Sequence, residues 1–399
     1  MIREVKREKE PPKPRKRSSR LVRLLAFVLT IALIVGAIYL VANRDRLNFD
    51  ALKRWFTYRS LAQDDDGNGQ PFSYQGGGSL TLANCDGDLI AVSQTGVRLY
   101  SSGGTAYIQD TFTMADPVCQ VSGNAAVVYD AGGSTLRVYR DRTQVFDLGN
   151  TDATILSARL SDNGQLCVVS RASGFKGVIS VYDSSFHQLM DLQLSSSYVL
   201  DAVVSPDGRS LLAVTAGQDA HLFTCTLARY SFSELEANPK DPTPTHTWVL
   251  GNHLPLDLVW DSDGVRVLGE YAALGANASL EEQGAYDWSD RYLKRYSLLG
   301  DNTFAVLTGK YRSGSQTTLE IIDPDGAVRA SADFSLPILD LSAAGKYVGV
   351  LTARELNIYT RDLTLYATIE NTDNASHLAM LPDGSAYLAS QSAAWLCLS

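Results

Sequence analysis

Residues 201–214 read DAVVSPDGRSLLAV, and this pattern recurs along the chain. An apolar run leads into the turn Ser205-Pro206-Asp207-Gly208, and a second apolar run follows. Pro presets φ for a turn, Asp bonds the local backbone, and Gly adopts a left-handed conformation. The stretch therefore predicts a β-hairpin whose second strand, lacking polar alternation, is covered on both faces.

Seven other segments share this layout. Four of them place a residue seven positions before a turn glycine, as Asp201 precedes Gly208, and they start at Leu80, Ser157, Asp257 and His377. Shorter turns put Gln120, Tyr296 and Asp340 in the same register, so the steps are 40, 37, 44, 56, 39, 44 and 37 residues. A period of about 40–50 residues with four strands is typical of a β-propeller blade. The sequence predicts an all-β fold, a β-propeller of eight four-stranded blades.

Two features bear on the count and the closure of the ring. Seven blades are the alternative, because copy five departs from the pattern between Tyr271 and Arg291. The last copy ends at its third strand, Leu396-Cys397-Leu398, and an open strand edge invites aggregation. We expect Pro71-Phe72-Ser73-Tyr74, before the first blade, to supply the fourth strand.

The repeat motifs resemble those of WD40 and related bacterial propellers. The turn Ser205-Pro206-Asp207-Gly208 resembles their first hairpin, and Val181-Tyr182-Asp183 resembles their Trp-Asp dipeptide with Tyr substituted. The layout also resembles uncharacterised membrane-anchored propellers of Gram-positive bacteria. The resemblance covers residues 72–399 and implies a rigid disc that presents loops.

The N-terminal part predicts a membrane anchor. Residues 24–42 are uncharged and mostly apolar, long enough at helical rise to span a hydrocarbon core of about 30 Å. Residues 1–23 carry ten Lys or Arg and three Glu, so this tail is expected to be cytoplasmic and the propeller outside the cell membrane. A cleaved signal peptide is the alternative, but the apolar run is long and no Ala-x-Ala follows it.

Residues 43–70 connect this single-pass transmembrane helix to the propeller at 71–399. Apolar Leu47, Leu52, Trp55 and Phe56 interleave with basic residues, which favours an amphipathic helix at the membrane interface. Packing under the propeller is the alternative. The run from Asp64 to Gly69 is interpreted as a flexible linker.

Composition narrows the function classes. Without residues 1–23 the chain has 25 basic and 41 acidic residues, which argues against nucleic acid as a partner. The five cysteines and five histidines show no metal-ligand spacing, and we expect no metal or cofactor. Because no nucleophile elbow, phosphate loop or paired-carboxylate signature stands out, the sequence names no catalytic residue.

Four side chains share one repeat position at the start of the innermost strand. They are Asp201, Asp257, Asp340 and His377, and they are expected to ring the channel mouth. One interpretation is a cation or ligand site. The other is that each bonds a neighbouring backbone N–H.

Loops on the same face carry aromatic and basic residues, of the types that anchor protein interfaces. The candidates are Phe175, Tyr286, Trp288, Tyr311 and Arg312. Of these, Tyr286 and Trp288 lie in an expected insertion at 272–290. Trp288 folding back on its own loop is the alternative. The sequence thus favours a scaffold for an envelope protein or ligand; a propeller enzyme, quinoprotein-like or hydrolytic, or a ligand sensor are the rival functions.

Overall fold

The computed structural model describes residues 27–31, 34, 49–64, 68–74, 80–149, 153–219 and 222–398. The chain divides into two units, Met1–Trp55 and Phe56–Ser399. Residues 27–31 and 34 are helical, and helix α1 (Phe49–Tyr58) follows. The basic tail at 1–23 and most of the predicted transmembrane helix at 24–42 lie outside the described residues. Within the described parts, no helix has the length and apolar character to cross a membrane.

The second unit consists of eight four-stranded antiparallel sheets, which are the blades of a propeller. Strand β1 (Phe72–Ser73) comes first. Blade I holds β2 (Leu80–Cys85), β3 (Asp88–Ser93), β4 (Gly96–Tyr100) and β5 (Ala106–Thr111). Blade II holds β6 (Pro117–Ser122), β7 (Ala125–Asp130), β8 (Leu136–Arg140) and β9 (Thr143–Asp147). Blade III holds β10 (Thr154–Leu160), β11 (Leu166–Arg171), β12 (Gly177–Tyr182) and β13 (Gln188–Leu194).

The next blades follow the same order. Blade IV holds β14 (Tyr198–Val204), β15 (Ser210–Asp219), β16 (Leu222–Ser231) and β17 (His246–Gly251), with helix α2 (Phe232–Ala237) before its last strand. Blade V holds β18 (Pro255–Trp260), β19 (Val265–Gly269), β20 (Ala272–Ala276) and β21 (Glu282–Asp287). Blade VI holds β22 (Tyr292–Ser297), β23 (Phe304–Gly309), β24 (Thr317–Ile322) and β25 (Val328–Phe334). Blade VII holds β26 (Ile338–Ala344), β27 (Tyr347–Thr352), β28 (Glu355–Thr360) and β29 (Leu365–Glu370). Blade VIII holds β30 (His377–Met380), β31 (Ala386–Ala389), β32 (Ala393–Cys397) and β1.

The second strand of each blade forms its apolar centre. Strands β3, β23 and β27 are buried at every residue, whereas the outermost strand β9 is mostly exposed. This confirms that the unalternating apolar runs are strands covered on both faces. The predicted turn at Ser205-Pro206-Asp207-Gly208 is also present, with Gly208 at φ 68° and Ser205 N–H bonded to Ser210 O at 2.9 Å.

The ring closes as the sequence predicts. Phe72 pairs with Ala394 and Ser73 with Ala393, so β1 completes blade VIII. Residues assigned to the linker extend this contact: Gly69 N–H bonds Leu396 O at 2.8 Å, and Asn68 accepts from Leu398 N–H at 3.2 Å. The edge that β32 would expose is thus covered by the chain that precedes blade I.

Blade V corrects one expectation. Residues 272–290 are not an irregular insertion, because β20 and β21 are the regular third and fourth strands of this blade. These strands contain glycines because the turn of blade VI packs closely against them. A Cβ at Gly275 would lie 2.0 Å from Pro324 O, and a Cβ at Gly284 would lie 2.0 Å from Asp325 O. The neighbouring turn therefore needs Gly at both positions, so blade V departs from the repeat pattern and still forms four strands. The structure shows eight blades, not seven.

Candidate functional site

Two faces of the disc are distinguished by their loops. We call "front face" the one that carries the loops between blades and between second and third strands. The "back face" carries the turns between first and second and between third and fourth strands. The predicted candidates lie on the front loops and in the channel lined by the first strands.

In the channel, one arginine joins three blades. Arg159 of blade III donates Nε–H to Asp201 in blade IV at 2.7 Å and an Nη2–H to Asp257 in blade V at 2.9 Å. Its Nη1 also donates to Leu258 O at 3.0 Å, and Ser157 Oγ donates to Asp201. Two of the predicted ring carboxylates therefore converge on a guanidinium that the sequence analysis did not single out.

The cluster is largely shielded from water, which strengthens its electrostatics. The side chains of Arg159, Asp201 and Asp257 are 18%, 16% and 30% exposed. Burial disfavours the charged guanidinium, yet the attraction of Asp201 and then Asp257 raises the pKa of Arg159 above its ordinary value. Burial, reinforced by Asp257 and opposed by Arg159, raises the pKa of the nearby Tyr296 to about 12.

Asp340 lies in a different setting. It accepts from its neighbour Leu341 N–H at 2.9 Å and from Leu378 N–H of blade VIII at 2.8 Å, beside the half-buried His377. Burial raises the pKa of this carboxyl, although those N–H groups oppose the rise. Asp201 and Asp257 likewise accept from the next residue's N–H, at 2.9 and 2.8 Å. Backbone bonding, one of the two interpretations of this repeat position, is therefore present at all three aspartates.

The expected register differs by one residue in blade VI. A bulge between Leu293 and Arg295 places Arg295, rather than Tyr296, at the position of Asp201 and Asp257. Arg295 donates to Leu339 O of blade VII at 3.2 Å. Among the residues that the structure describes, no group of three His, Cys, Asp or Glu is arranged to hold a metal ion.

Exposed apolar side chains concentrate on one half of the front face. Within the described propeller, blades III to VII carry all of the large exposed apolar residues at front loops or strand ends. We call this set the front crescent: Phe175, Tyr198, Leu222, Phe223, Leu254, Leu256, Tyr271, Tyr292, Tyr311 and Leu336. Exposed Tyr, Phe and Leu side chains on one face are of the types found at interaction sites.

Trp288 does not belong to this surface. Its side chain is 0% exposed and packs with Leu268, Phe304 and Ile322 between blades V and VI. The structure does not expose Trp288 as an interface tryptophan; the side chain is buried, as the alternative had it, but between two blades rather than against its own loop. Burial of the indole removes a large apolar area from water, which stabilises the fold more than an exposed position would.

Trp288 instead supports an exposed tyrosine. Its backbone N–H bonds Tyr271 O at 2.8 Å and its indole N–H bonds Glu270 O at 3.1 Å. Tyr286, half-buried, donates its hydroxyl to Glu320 at 2.7 Å, and Arg291 bridges to the same carboxylate at 2.8 Å. These bonds fix the segment that leads into Tyr292.

Tyr311 and Arg312 are exposed, as expected, on a tethered loop. Lys294 Nζ donates to Tyr311 O at 2.6 Å and to Arg312 O at 2.5 Å. The pKa of Tyr271 is raised, mainly because its hydroxyl bonds Glu270. Tyr292 also raises this pKa and Arg312 lowers it, so both side chains lie near Tyr271. We call Tyr271, Tyr292 and Tyr311 the tyrosine platform.

Phe175 lies in a second group on blades III and IV. It is partly exposed, and Lys176 places its ammonium 5.0 Å from the ring centre of the exposed Tyr198. The hairpin of β15 and β16 extends beyond β14, which pairs only to Ala216, and carries Leu222 and Phe223 near its end. The sequence contained a signal for Tyr198 and Tyr292, since each stands at the start of a first strand, where a front loop ends.

Comparisons with known proteins agree with the fold. Residues 73–244 match a family model described as a family of unknown function (DUF5711), which is less than half of the chain. The chain is similar to the C-terminal WD40 domain of Sif2, with 14% identity, 79% of this chain and 93% of that chain covered, and a TM-score of 0.56. It is also similar to a eukaryotic initiation factor structure, with 11% identity, 82% and 83% covered, and a TM-score of 0.50. No curated protein matches it. These likenesses confirm the predicted WD40-like propeller at the level of the fold.

Proposed function

We propose that this protein is a membrane-anchored propeller outside the cell that acts as a protein-binding scaffold through its front face. The observation that carries the proposal is the front crescent, because exposed Tyr, Phe and Leu side chains are gathered on blades III to VII. Tyr and Arg are enriched among residues that dominate interface energies. Fixed loops add to this, since a preorganised surface loses less entropy on binding.

The membrane anchor is supported by the sequence of residues 24–42 and by the charge asymmetry around it. The described part of this segment has exposed Phe27, Val28 and Leu29 side chains, which suit a lipid environment. In α1, Leu52 and Trp55 are exposed as well, in keeping with an interfacial helix. Protease added to intact cells or spheroplasts should digest residues 60–399; their protection would contradict the external placement.

Hydrolysis by paired channel carboxylates is the rival function. Asp201 and Asp257 do approach each other, but both accept hydrogen bonds from Arg159. Asp201 also accepts from Ser157 Oγ–H, and each of the two aspartates accepts the N–H of the next residue, so their carboxylate oxygens are already engaged within the fold. The geometry therefore favours a structural ion cluster over a catalytic pair.

Site-specific photo-crosslinking tests the scaffold function. A photoreactive amino acid replaces Tyr311 or Tyr198 on the front face, or Leu299, 67% exposed on the back face. The full chain is irradiated in its native membrane. Discrete protein adducts at the two front positions and none at Leu299 are expected. Equal adducts at all three positions, or adducts at Leu299 alone, would move the site away from the front crescent.

A further inference from the structure

The two faces of the disc differ in charge. Among the described residues, front loops between second and third strands hold one acidic residue, Glu270, and four basic ones: Lys176, Lys310, Arg312 and Arg354. Back-face turns between first and second strands hold two basic residues, Arg209 and Lys346. They hold seven acidic ones: Asp86, Asp162, Asp207, Asp261, Asp263, Asp301 and Asp383. The front loops between blades add Asp116, Asp290, Asp373 and Arg291, so the described front loops together hold five basic and four acidic residues. The acidic excess of the propeller is thus absent from the face where its apolar side chains are exposed.

The tyrosine platform combines both properties. Its members Tyr271, Tyr292 and Tyr311 are 42%, 47% and 61% exposed. Arg312 is exposed beside them, and Lys310 Nζ lies 5.6 Å from the ring centre of Tyr311. The acidic neighbour Glu270 accepts the Tyr271 hydroxyl at 2.7 Å. The platform therefore combines three exposed tyrosines with two exposed basic side chains, Lys310 and Arg312.

We infer that the tyrosine platform binds an acidic segment of a partner protein. The inference rests on the proposed scaffold function and specifies the chemistry of its partner. The tyrosine rings cover apolar side chains of the segment, while Arg312 and Lys310 pair with its carboxylates. Complementary charge of this kind speeds association and rejects partners of the wrong sign. The acidic back face repels the same segment, which restricts binding to one side of the disc.

An anionic bilayer surface would present similar chemistry, but the charge of the chain favours a protein. Outside residues 1–23 the chain holds 25 basic and 41 acidic residues, so an extended anionic surface is repelled overall, whereas a short acidic segment contacts the platform alone. Tyr58 packs in the buried cluster that contains Tyr387, whose hydroxyl bonds Gly87 O in a back-face turn at 2.6 Å. Leu61 lies near Gly103, in another back-face loop, where a Cβ would be 3.6 Å from Leu61 Cδ1. Residues 58–61 therefore pack on the back face of the propeller and leave the platform uncovered.

The test uses the full chain in phosphatidylcholine nanodiscs. The probes are a fluorescein-labelled peptide of Glu-Trp-Glu repeats and its charge reversal, Lys-Trp-Lys repeats, followed by anisotropy. We expect the acidic peptide to bind at low salt and the basic one not to bind at the platform. The double variant Lys310→Glu/Arg312→Glu should weaken the acidic peptide at least tenfold, about 1.4 kcal/mol. Arg361→Glu, an exposed back-face control, should leave its affinity unchanged.

Several results would overturn the inference. One is equal binding of the two peptides; another is an affinity for the acidic peptide that Arg312→Glu and Tyr311→Ser do not change. A third is binding of phosphatidylglycerol vesicles that Lys310→Glu/Arg312→Glu abolishes, which would assign the platform to a bilayer. If the acidic peptide fails to bind while crosslinks at Tyr311 persist, the inference is wrong and the scaffold function stands. If crosslinks at Tyr311 are also absent, both are wrong.

Discussion

Trp288 donates its backbone N–H to the carbonyl oxygen of Tyr271 at 2.8 Å, so a residue with a wholly buried side chain holds the backbone of a residue with an exposed one. The residue that looked like an interface anchor is instead the support of the surface that we assign to binding. Stability and recognition are thus coupled at the junction of blades V and VI.

Trp288→Ala should lower the free energy of unfolding by about 3–5 kcal/mol, the usual cost of removing a buried aromatic side chain. Trp288→Phe should cost less, because part of the apolar contact remains. Chemical denaturation measures both changes. Tyr311→Ala, at an exposed site, is the control and should change stability by about 0.5 kcal/mol or less. Equal losses for Trp288→Ala and Tyr311→Ala would contradict the buried position of Trp288.

Arg159→Met should destabilise the propeller by about 3 kcal/mol, because it leaves the carboxylates of Asp201 and Asp257 shielded from water without their cation. Adding Asp257→Asn to this variant should recover part of the loss, which a double-mutant cycle measures. Arg361→Met is the matched exposed control. Strict additivity of Arg159→Met and Asp257→Asn would show that the two side chains do not interact.

Asp340 predicts a specific pH dependence. Since burial raises the pKa of its carboxyl, the folded chain binds this proton more tightly than the unfolded chain does. Its stabilising effect is complete below the ordinary aspartate pKa of about 3.9 and is lost as pH rises through the raised value. The unfolding free energy of the wild type minus that of Asp340→Asn should fall over this interval and then become constant. Urea denaturation at a series of pH values measures the difference, and a rise with pH is the contrary outcome.

Deletion of residues 1–79 removes β1 and leaves β32 with an open edge, so we expect a lower melting temperature and self-association. Deletion of residues 1–55 keeps Phe72 and Ser73 paired and serves as the control. Thermal melts and size-exclusion chromatography compare the two proteins. Similar melting and a monomeric state for both would mean that β1 contributes little to closure.

The blade count and the closing strand could be predicted because their causes are local. Short stretches of sequence are enough to identify them. Residues 201–214 contain a turn glycine and an apolar second strand, and residues 71–74 supply the strand that the last blade lacks. Blade V obscured the pattern, since Gly275 and Gly284 are small to admit the backbone of blade VI rather than to serve their own strands. That requirement comes from a turn about forty residues later in the chain.

The site was harder to predict because its contacts are distant in sequence. Arg159 meets partners 42 and 98 positions away, and no local motif signals such a pair. The exposed Tyr311 and Arg312 were identified from loop position, whereas the burial of Trp288 depends on which neighbours fill the space between two blades. Loop membership can be inferred from a repeat, but exposure depends on packing.

The closure of blade VIII also sets a time order on biogenesis. Leu398 N–H bonds Asn68 across 330 positions, so the ring cannot close until residue 398 has been synthesised. At translation rates of about 5–20 residues per second, the early strand waits roughly 20–60 seconds for its partner. Through that interval β1 has no sheet to join, and blade I has an unoccupied neighbour. A chain that stops before β32 would therefore leave the ring open at blade VIII, with β1 unpaired.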